Sequence, residues 1–317
     1  MRIVVVGAGA MGAVYGGLLS RAGYDVTLLD IRREHIAAIA ADGLRLSGIA
    51  GDHTIRLPAH TDAAGLPPFD LAIIFVDANA TAAAAKSAAA LLKPDGAALT
   101  LQNGIGNLEI LASALGSSRV LGGVTMNSAN LPGPGQAQHS HAGPTWLGEL
   151  DGKPSARLAA IVAALTGAGL ETIVTDDVQA HVWNKFVLNC AINPLCAITG
   201  LLPGEIAVTP EVDQLQTLLV EELMAVVRAK RLTLPDPDPL GTIKAHCRAR
   251  YNRPSMMQHV EQGRRTEIDA LNGALVREAA ALGMAVPYND AIARAIKGLE
   301  KQRMQTVSRA HASTSSA

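Results

Sequence analysis

The sequence predicts an α/β fold with two domains, a parallel-sheet domain followed by an all-helical domain. A glycine-rich turn joins the first predicted strand to the first helix, and continuous apolar runs then alternate with helical patterns as far as residue 175. Residues 176–305 show helical periodicity interrupted by prolines, and the length of 317 residues suits two domains. Residues 306–317, rich in Ser, Thr and Ala, are predicted to form a disordered tail.

Composition and charge exclude several classes of function. A net charge of −1 and a pI of about 6.8 argue against nucleic acid or an anionic membrane surface as a partner. There is neither an amino-terminal targeting signal nor an apolar run long enough to cross a bilayer. The three cysteines form no CxxC pair, so the sequence predicts a cytoplasmic protein without disulfides or a bound metal.

The first twelve residues carry the clearest motif. Ile3 to Val6 is an apolar run typical of a buried strand, and glycines follow at positions 7, 9 and 12. Gly7 permits the tight turn, Gly9 lets a pyrophosphate approach the backbone, and Gly12 allows close packing of helix on strand. The N–H groups at the helix start, including those of Ala10 and Met11, face the phosphates. This context predicts a Rossmann-type domain that binds a dinucleotide.

Charged residues after two strands bear on which dinucleotide binds. Asp30 ends the second predicted strand, Asp25 to Asp30, where an acid accepts hydrogen bonds from the adenosine ribose hydroxyls. This favours NAD(H), and Asp77 after a later strand adds negative charge. Arg32 and Arg33 follow at once, and either arginine facing a 2′-phosphate is the alternative, as is plain solvation of both.

Further strands are predicted along the amino-terminal half of the chain. Leu71 to Val76 delivers Asp77, and Ala97 to Leu101 delivers Asn103, to the carboxyl edge of the sheet, where open α/β sheets bind ligands. Gln136 to His141 and Thr145 to Glu149 are predicted to form an edge hairpin. His139 and His141 alternate on that strand, and without a third ligand they indicate structural or solvated histidines rather than metal ligands.

The second domain opens with a polar stripe on an apolar helix. Lys185, Asn189 and Asn193 are spaced i, i+4 and i+8, so they share one helical face, and a wet pocket beside that face accounts for them. A solvated lysine with a helix-terminal asparagine is the alternative. Pro194 is predicted to end the helix.

A second stretch, residues 252–273, holds an acid of interest. Ser255 is predicted to start a helix that runs to Ala281, with Glu267 at the edge of its apolar stripe. From the residues alone, the favoured interpretation of Glu267 is a solvated acid on a long helix.

Five blocks of the sequence resemble the ketopantoate reductases (2-dehydropantoate 2-reductases). They are VGAGAMG at the start, QNGIGN at 102–107, GGVT at 122–125, WNKFVLNCAINPLCAITG at 183–200 and RPSMMQHVEQGRRTEIDALNG at 253–273. The resemblance covers nearly the whole chain apart from the tail. The last two blocks are the most specific, because many dehydrogenase families share the glycine loop.

The resemblance implies NADP(H)-dependent reduction of 2-dehydropantoate to (R)-pantoate in pantothenate biosynthesis. Lys185 falls on the family's catalytic lysine and Glu267 on its active-site glutamate. The substrate-contacting positions fall on Asn103, Asn189, Asn193 and Ser255, and Asn103 also lies where the nicotinamide is expected. The helical domain is accordingly the expected substrate domain and the candidate surface for a homodimer.

Two departures from the family pattern leave the cofactor open. The family commonly has an arginine directly after the second strand and a lysine after the later one, where this chain has Asp30 and Asp77. The acids favour NAD(H), and they raise an alternative within the family, an NAD-dependent (R)-2-hydroxyacid dehydrogenase acting on another 2-keto acid. A non-catalytic dinucleotide-binding sensor is a third interpretation, which the intact Lys185 and Glu267 disfavour.

Overall fold

The chain divides into two compact units. In the computed structural model, the backbone is described for residues 1–314 and the side chains for residues 1–306. The first unit comprises Met1–Gln102 and Gly106–His181, and the second comprises Asn103–Ile105 and the chain from Val182 onward. The division therefore falls at His181, inside a helix, rather than at the predicted residue 175, and three residues of the amino-terminal half pack with the helical unit.

The first unit contains all the strands of the described chain. The strands are β1 (Arg2–Val6), β2 (Asp25–Leu29), β3 (Leu44–Gly48), β4 (His53–Ile55), β5 (Ala59–His60), β6 (Phe69–Ile74), β7 (Leu92–Thr100), β8 (Val120–Thr125), β9 (Ser128–Asn130), β10 (Gln136–His141), β11 (Thr145–Glu149) and β12 (Thr172–Val174). Its helices are α1 (Ala10–Arg21), α2 (Arg33–Asp42), α3 (Thr81–Leu91), α4 (Asn107–Leu115) and α5 (Ala156–Gly167). This arrangement confirms the predicted α/β domain.

The main sheet has eight strands in the order β12-β11-β8-β7-β6-β1-β2-β5. Its central strands are parallel, and β1 lies between β2 and β6. Ile3, Val4 and Val5 of β1 have no exposed surface, as expected for a strand covered on both faces. The glycine turn after β1 therefore lies at the carboxyl edge of the sheet, where the strand order reverses.

The predicted hairpin of residues 136–149 is wrong. β10 pairs with β3 and β9 in a separate four-stranded sheet, whereas β11 pairs with β8 and β12 in the main sheet. The two strands part because Ala137 and His139 of β10 are buried beside α1. His139 hydrogen-bonds the Asn127 side chain at 2.8 Å, in keeping with a structural role for this histidine.

All regular secondary structure among the described residues of the second unit is helical. It is built from the larger part of α6 (Val178–Thr199), followed by α7 (Pro203–Ile206), α8 (Pro210–Ala229), α9 (Pro239–Arg248), α10 (Ser255–Glu261), α11 (Asn272–Ala281) and α12 (Pro287–Thr314). Aliphatic side chains from these helices, with Trp183 and Phe186, form one buried core. No helix within residues 1–314 combines the length and hydropathy that crossing a membrane requires.

Pro194 lies inside α6, so the prediction that it ends this helix is wrong. A proline in a helix interior removes one backbone hydrogen bond and its ring crowds the preceding turn. The helix nevertheless continues to Thr199, because side chains of other helices bind the carbonyl groups of the preceding turn, as described below.

The long helix predicted from Ser255 to Ala281 is also wrong, because the chain breaks between α10 and α11. Gly263 adopts the left-handed conformation with φ 64°, and the Arg264 N–H donates back to the His259 carbonyl at 2.8 Å. This is a glycine C-terminal cap, which the sequence displays at Gly263. Glu267 consequently lies on an irregular segment, next to a short 3-10 helix at Ile268–Ala270.

The tail predicted to be disordered begins inside α12, whose backbone is helical to Thr314. Residues 315–317 lie outside the described residues.

Candidate functional site

The glycine loop of the first unit has the geometry that its motif predicts. Gly7 adopts φ 95°, and a Cβ there would meet the Val76 backbone nitrogen at 2.6 Å. A Cβ on Gly12 would lie 1.9 Å from the Gly7 carbonyl oxygen. Both positions therefore exclude any larger residue, because backbone atoms fill the space.

Gly9 differs from its two neighbours in the motif. The nearest atom to a Cβ placed there is an Nη2 of Arg32, 3.7 Å away. No side chain caps α1, whose first helical residues are Ala10 and Met11. The loop thus combines room for a Cβ at Gly9, N–H groups at the helix start and the Arg32 cation, a combination that fits the pyrophosphate of a dinucleotide.

Asp30 and Arg32 form a bidentate ion pair beside this loop. Arg32 Nε and Nη2 donate to the two carboxylate oxygens of Asp30, each at 2.9 Å. The Asp30 side chain is 8% exposed and that of Arg32 is 40% exposed. Burial alone would raise the pKa of Asp30, but the hydrogen bonds from Arg32 outweigh it, so the pKa lies below its ordinary value. The negative charge of Asp30 and the positive charge of Arg32, just after β2, therefore offset each other.

His35 lies near this pair and was not identified from the sequence. It lies on the polar helix α2, where a histidine is ordinarily solvated, yet it is only 2% exposed. Its Nδ1 accepts the Gly135 N–H at 3.0 Å. Burial first, and then the charge of Arg32, lower its pKa. The neutral ring thus fixes α2 beside the Asp30–Arg32 pair.

Gln102 orders the carboxyl ends of two central strands. Its Nε2 donates to the Val76 carbonyl at 2.7 Å and to the Thr81 hydroxyl at 2.9 Å. These bonds tie the end of β7 to the segment after β6, where half-buried Asp77 lies. Gln102, the residue directly before the loop that begins at Asn103, is therefore held in place by these hydrogen bonds.

The polar stripe of α6 is present in the second unit. Lys185, Asn189 and Asn193 are each partly accessible, whereas Phe186, Val187 and neighbours on the other faces are buried. Among the described residues, no hydrogen-bond acceptor is placed at Asn189 Nδ2 although this atom is buried. An anionic or carbonyl group of a ligand would satisfy such a donor.

The electrostatic setting of Lys185 is unusual for a lysine. Burial lowers its pKa from the ordinary 10.5 to about 8, and the negative charge of Glu267 partly opposes the shift. A lysine that titrates near neutrality can both donate and accept a proton under ordinary conditions. Tertiary folding brings this pair together from distant parts of the chain.

Hydrogen bonds from two other parts of the chain hold the segment that carries Glu267. The Thr266 N–H donates to the Glu300 carboxylate at 2.6 Å. The loop that begins at Asn103 reaches the same segment, because the Ile105 N–H donates to the Ala270 carbonyl at 3.1 Å. A Cβ on Gly104 would meet that carbonyl oxygen at 2.5 Å. Only a glycine at 104 permits this close approach.

Ser255 stands apart from these contacts in sequence and environment. It is the first residue of α10 and is exposed. Its hydroxyl is therefore accessible to a ligand, whereas Pro254 and Met256 on either side are buried.

Two family models match the chain. The description "Ketopantoate reductase PanE/ApbA" matches residues 3–152, and "Ketopantoate reductase PanE/ApbA C terminal" matches residues 177–300. Among relatives, the 2-dehydropantoate 2-reductase of Halobacterium salinarum is 34% identical over 289 residues, which is 90% of this chain and 95% of the relative. The enzyme of that name from Archaeoglobus fulgidus is 33% identical over 94% of this chain and 98% of its own.

Solved structures agree with these matches. A PanE/ApbA family ketopantoate reductase from Ralstonia eutropha JMP134 superposes with a TM-score of 0.89 and 33% identity, covering 96% of this chain and 100% of its own. A ternary structure of D-mandelate dehydrogenase with NADH and anilino(oxo)acetate gives a TM-score of 0.87 and 28% identity, covering 96% and 99%.

The glycine loop yields a matched pair of substitutions. Gly9→Ala is expected to fold with a melting temperature close to wild type, because its methyl group meets only the Arg32 side chain, at an ordinary contact distance of 3.7 Å. It is expected to weaken dinucleotide binding by about tenfold or more, because the methyl group keeps the pyrophosphate from the backbone. Gly12→Ala is expected to lower the melting temperature markedly, because its Cβ meets a backbone oxygen. Thermal melts and fluorescence titration with NADH measure both. Equal dinucleotide affinity in wild type and a folded Gly9→Ala variant would contradict this assignment.

Proposed function

The chain belongs to the ketopantoate reductase family, and we propose that it is a 2-dehydropantoate 2-reductase, which reduces 2-dehydropantoate to (R)-pantoate in pantothenate biosynthesis. The observation that carries this proposal is the pairing of Lys185, with its pKa of about 8, and Glu267 beside a stripe of asparagines. A non-catalytic sensor has no need of a lysine tuned in this way.

The dinucleotide, when bound at the glycine loop, supplies the hydride that reduces the keto carbon. Lys185 Nζ donates a proton to the keto oxygen, where negative charge develops as the carbon is reduced, and is reprotonated from solvent. The ammonium form also stabilises that charge before the proton moves. Removal of the positioned acid therefore affects turnover more than substrate affinity.

The remaining polar residues are assigned to orientation of the substrate. Glu267 accepts a hydrogen bond from a substrate hydroxyl and keeps Lys185 in its charged form. Asn189 and Asn193, on the turns after Lys185, donate to the carboxylate or hydroxyl, together with Ser255. Asn103 is assigned to orientation of the substrate, because its loop packs on the Glu267 segment. Fixed orientation contributes a large share of such rate enhancements.

A second candidate is an NAD-dependent (R)-2-hydroxyacid dehydrogenase that acts on another 2-keto acid. Two observations favour it, the acid Asp30 at the end of β2 and the similarity to D-mandelate dehydrogenase solved with NADH. Lysine and glutamate would have the same roles in that reaction. Steady-state rates with 2-dehydropantoate and a panel of branched and aromatic 2-keto acids decide between the two, since the true substrate has the highest kcat/KM.

Substitution of the lysine tests the mechanism directly. Lys185→Ala is expected to lower kcat by a factor of about 10²–10⁴, with a melting temperature near that of wild type because the side chain lines an accessible face. Lys301→Ala, which changes an exposed lysine of the same unit, is the matched control and should retain full activity. Turnover of Lys185→Ala at the wild-type rate on every active keto acid would refute the proposed acid.

The lysine also fixes the direction of the pH dependence. Because reduction needs the ammonium form, kcat/KM for the keto acid is expected to be constant below about pH 8 and to fall above it. Oxidation of the hydroxy acid needs the neutral amine, so its rate should rise through the same pH. Glu267→Gln removes the charge that favours the ammonium and should move both breaks to lower pH. A break that stays in place in Glu267→Gln would rule out this coupling.

We further propose that NADH serves at least as well as NADPH. Asp30 and Asp77 oppose a 2′-phosphate, while the ion pair leaves Arg32 with little charge to spare for one. Relative to wild type, Arg32→Ala should shift the ratio of kcat/KM values toward NADH by about tenfold or more, because it leaves Asp30 uncompensated. Asp30→Asn should shift it toward NADPH. A large NADPH preference that Arg32→Ala or Arg33→Ala abolishes would show that the arginines, not the acids, decide.

A further inference from the structure

Pro194 creates an unusual acceptor on the helix that carries Lys185. Having no N–H, this proline leaves the carbonyl group of Cys190 without its partner in the helix. Cys190 has no exposed surface, so water cannot easily replace that partner. An unsatisfied carbonyl in such a place is destabilising. A donor from outside the helix is therefore needed for α6 to continue through Pro194.

Asn272 supplies that donor. Its Nδ2 donates to the Cys190 carbonyl oxygen at 3.2 Å, and Asn272 itself is fully buried at the start of α11. A second buried amide acts one residue further on, where Gln216 Nε2 of α8 donates to the Ala191 carbonyl oxygen at 3.2 Å. Side chains of two other helices thus bind the turn of α6 that the proline disturbs.

The Asn272 amide is held in a defined orientation. Its Nδ2 also donates to Asn289 Oδ1 at 2.9 Å. Asn289 in turn donates to the Glu222 carboxylate at 2.7 Å and to the Leu219 carbonyl at 3.2 Å. This buried chain of hydrogen bonds links α6, α11, α12 and α8. Rotation of the Asn272 amide would break its bonds to α6 and to α12, so the amide stays bound to the Cys190 carbonyl.

The position of Asn272 connects it to both members of the catalytic pair. Cys190, which it binds, directly follows Asn189 in the Lys185 stripe. Only the short 3-10 helix separates Asn272 from Glu267, whose carbonyl accepts the N–H groups of Ala270 and Leu271 at 2.9 and 3.1 Å. One side chain therefore fixes the helix that carries the lysine to the segment that carries the glutamate.

We infer that Asn272 is a positioning residue, which sets the placement of Lys185 relative to Glu267 by binding the carbonyl group that Pro194 leaves open. The inference rests on the proposed function, because it assumes that this pair acts on the substrate. The inference gives a functional role to the backbone hydrogen bond that Pro194 removes from α6. With a residue other than proline at position 194, its N–H would bind the Cys190 carbonyl within the helix. Asn272 would then contribute less to the placement of α6.

A double-mutant cycle between Asn272 and Pro194 tests the inference. Asn272→Ala is expected to lower kcat by about 10–100-fold, the loss typical of slight misplacement of a reacting group, with a smaller change in KM. The pH at which kcat/KM falls should also decrease, because the lysine moves away from the glutamate charge. A side chain that only supported folding would leave this break in place.

Pro194→Ala restores an N–H that can bind Cys190. In that background Asn272→Ala should cost at least about threefold less in kcat than in wild type, as expected for directly coupled sites. The cycle cancels the lost bond to Asn289, which is common to both arms. Asn252→Ala, an exposed asparagine of the same unit, is the control and should behave as wild type. Where Asn272→Ala does not fold, Asn272→Leu fills nearly the same volume and enters the same cycle.

The outcomes separate this inference from the proposed function. If Lys185→Ala remains active, the proposed mechanism fails whatever Asn272 does. If Lys185→Ala is inactive but Asn272→Ala keeps wild-type kcat and the same pH break, the positioning role is wrong and the mechanism stands. A loss in Asn272→Ala that is equally large with alanine at 194 also overturns the inference, since the effect would not pass through Cys190.

Discussion

The partial burial of the Lys185 ammonium is the constraint on which much of the helical unit depends. Removing a charge from water is costly, and the fall of its pKa to about 8 expresses that cost. The carboxylate of Glu267 recovers part of it. Because both groups must stay together, the unit has to hold two segments far apart in sequence in a fixed relation.

Buried amides supply much of that fixation. Gln216, Asn272 and Asn289 have no exposed surface. Their amide groups donate to backbone carbonyls of α6 and α8, to the Glu222 carboxylate, to the Cys247 thiol and, from Asn272 to Asn289, to one another. A core of aliphatic side chains tolerates small shifts, because dispersion contacts have little directionality. Hydrogen bonds to specific carbonyl groups do not tolerate such shifts. The polar network therefore defines a geometry that the apolar core alone would leave loosely specified.

At the proposed dinucleotide site beside the glycine loop, the main constraint is the balance of charge around the phosphates. Backbone N–H groups and the start of α1 provide positive character without any side chain. Arg32 adds a full cation near Gly9, and Asp30 offsets it through two hydrogen bonds. Neutral, buried His35 adds no further charge and keeps α2 in place. In the proposed cofactor site, one ion pair therefore holds both an acid that favours NADH and a base that could bind a 2′-phosphate.

Features governed by local chemistry were determined by the sequence alone. The glycine spacing at positions 7, 9 and 12 requires a tight turn and close packing wherever it occurs, so the first strand, turn and helix follow directly. The helical spacing of Lys185, Asn189 and Asn193 places them on one face for the same reason. Gly263 carried a readable signal as well, since a left-handed glycine commonly ends a helix. The family blocks added the roles of residues that local chemistry leaves ambiguous, Glu267 above all.

Only the tertiary structure decided the features that depend on partners distant in sequence. Pro194 ends a helix unless another segment binds the freed carbonyl group, and nothing near it in sequence reveals Asn272 or Gln216. The sequences of β10 and β11 are typical of a hairpin, but in the structure β10 is buried beside α1 in a second sheet. His35 looks solvated on a polar helix until the Gly135 loop covers it. The physical reason is common to all three: a buried polar or apolar group takes its partner from whichever segment folding brings there, and sequence distance carries no information about that choice.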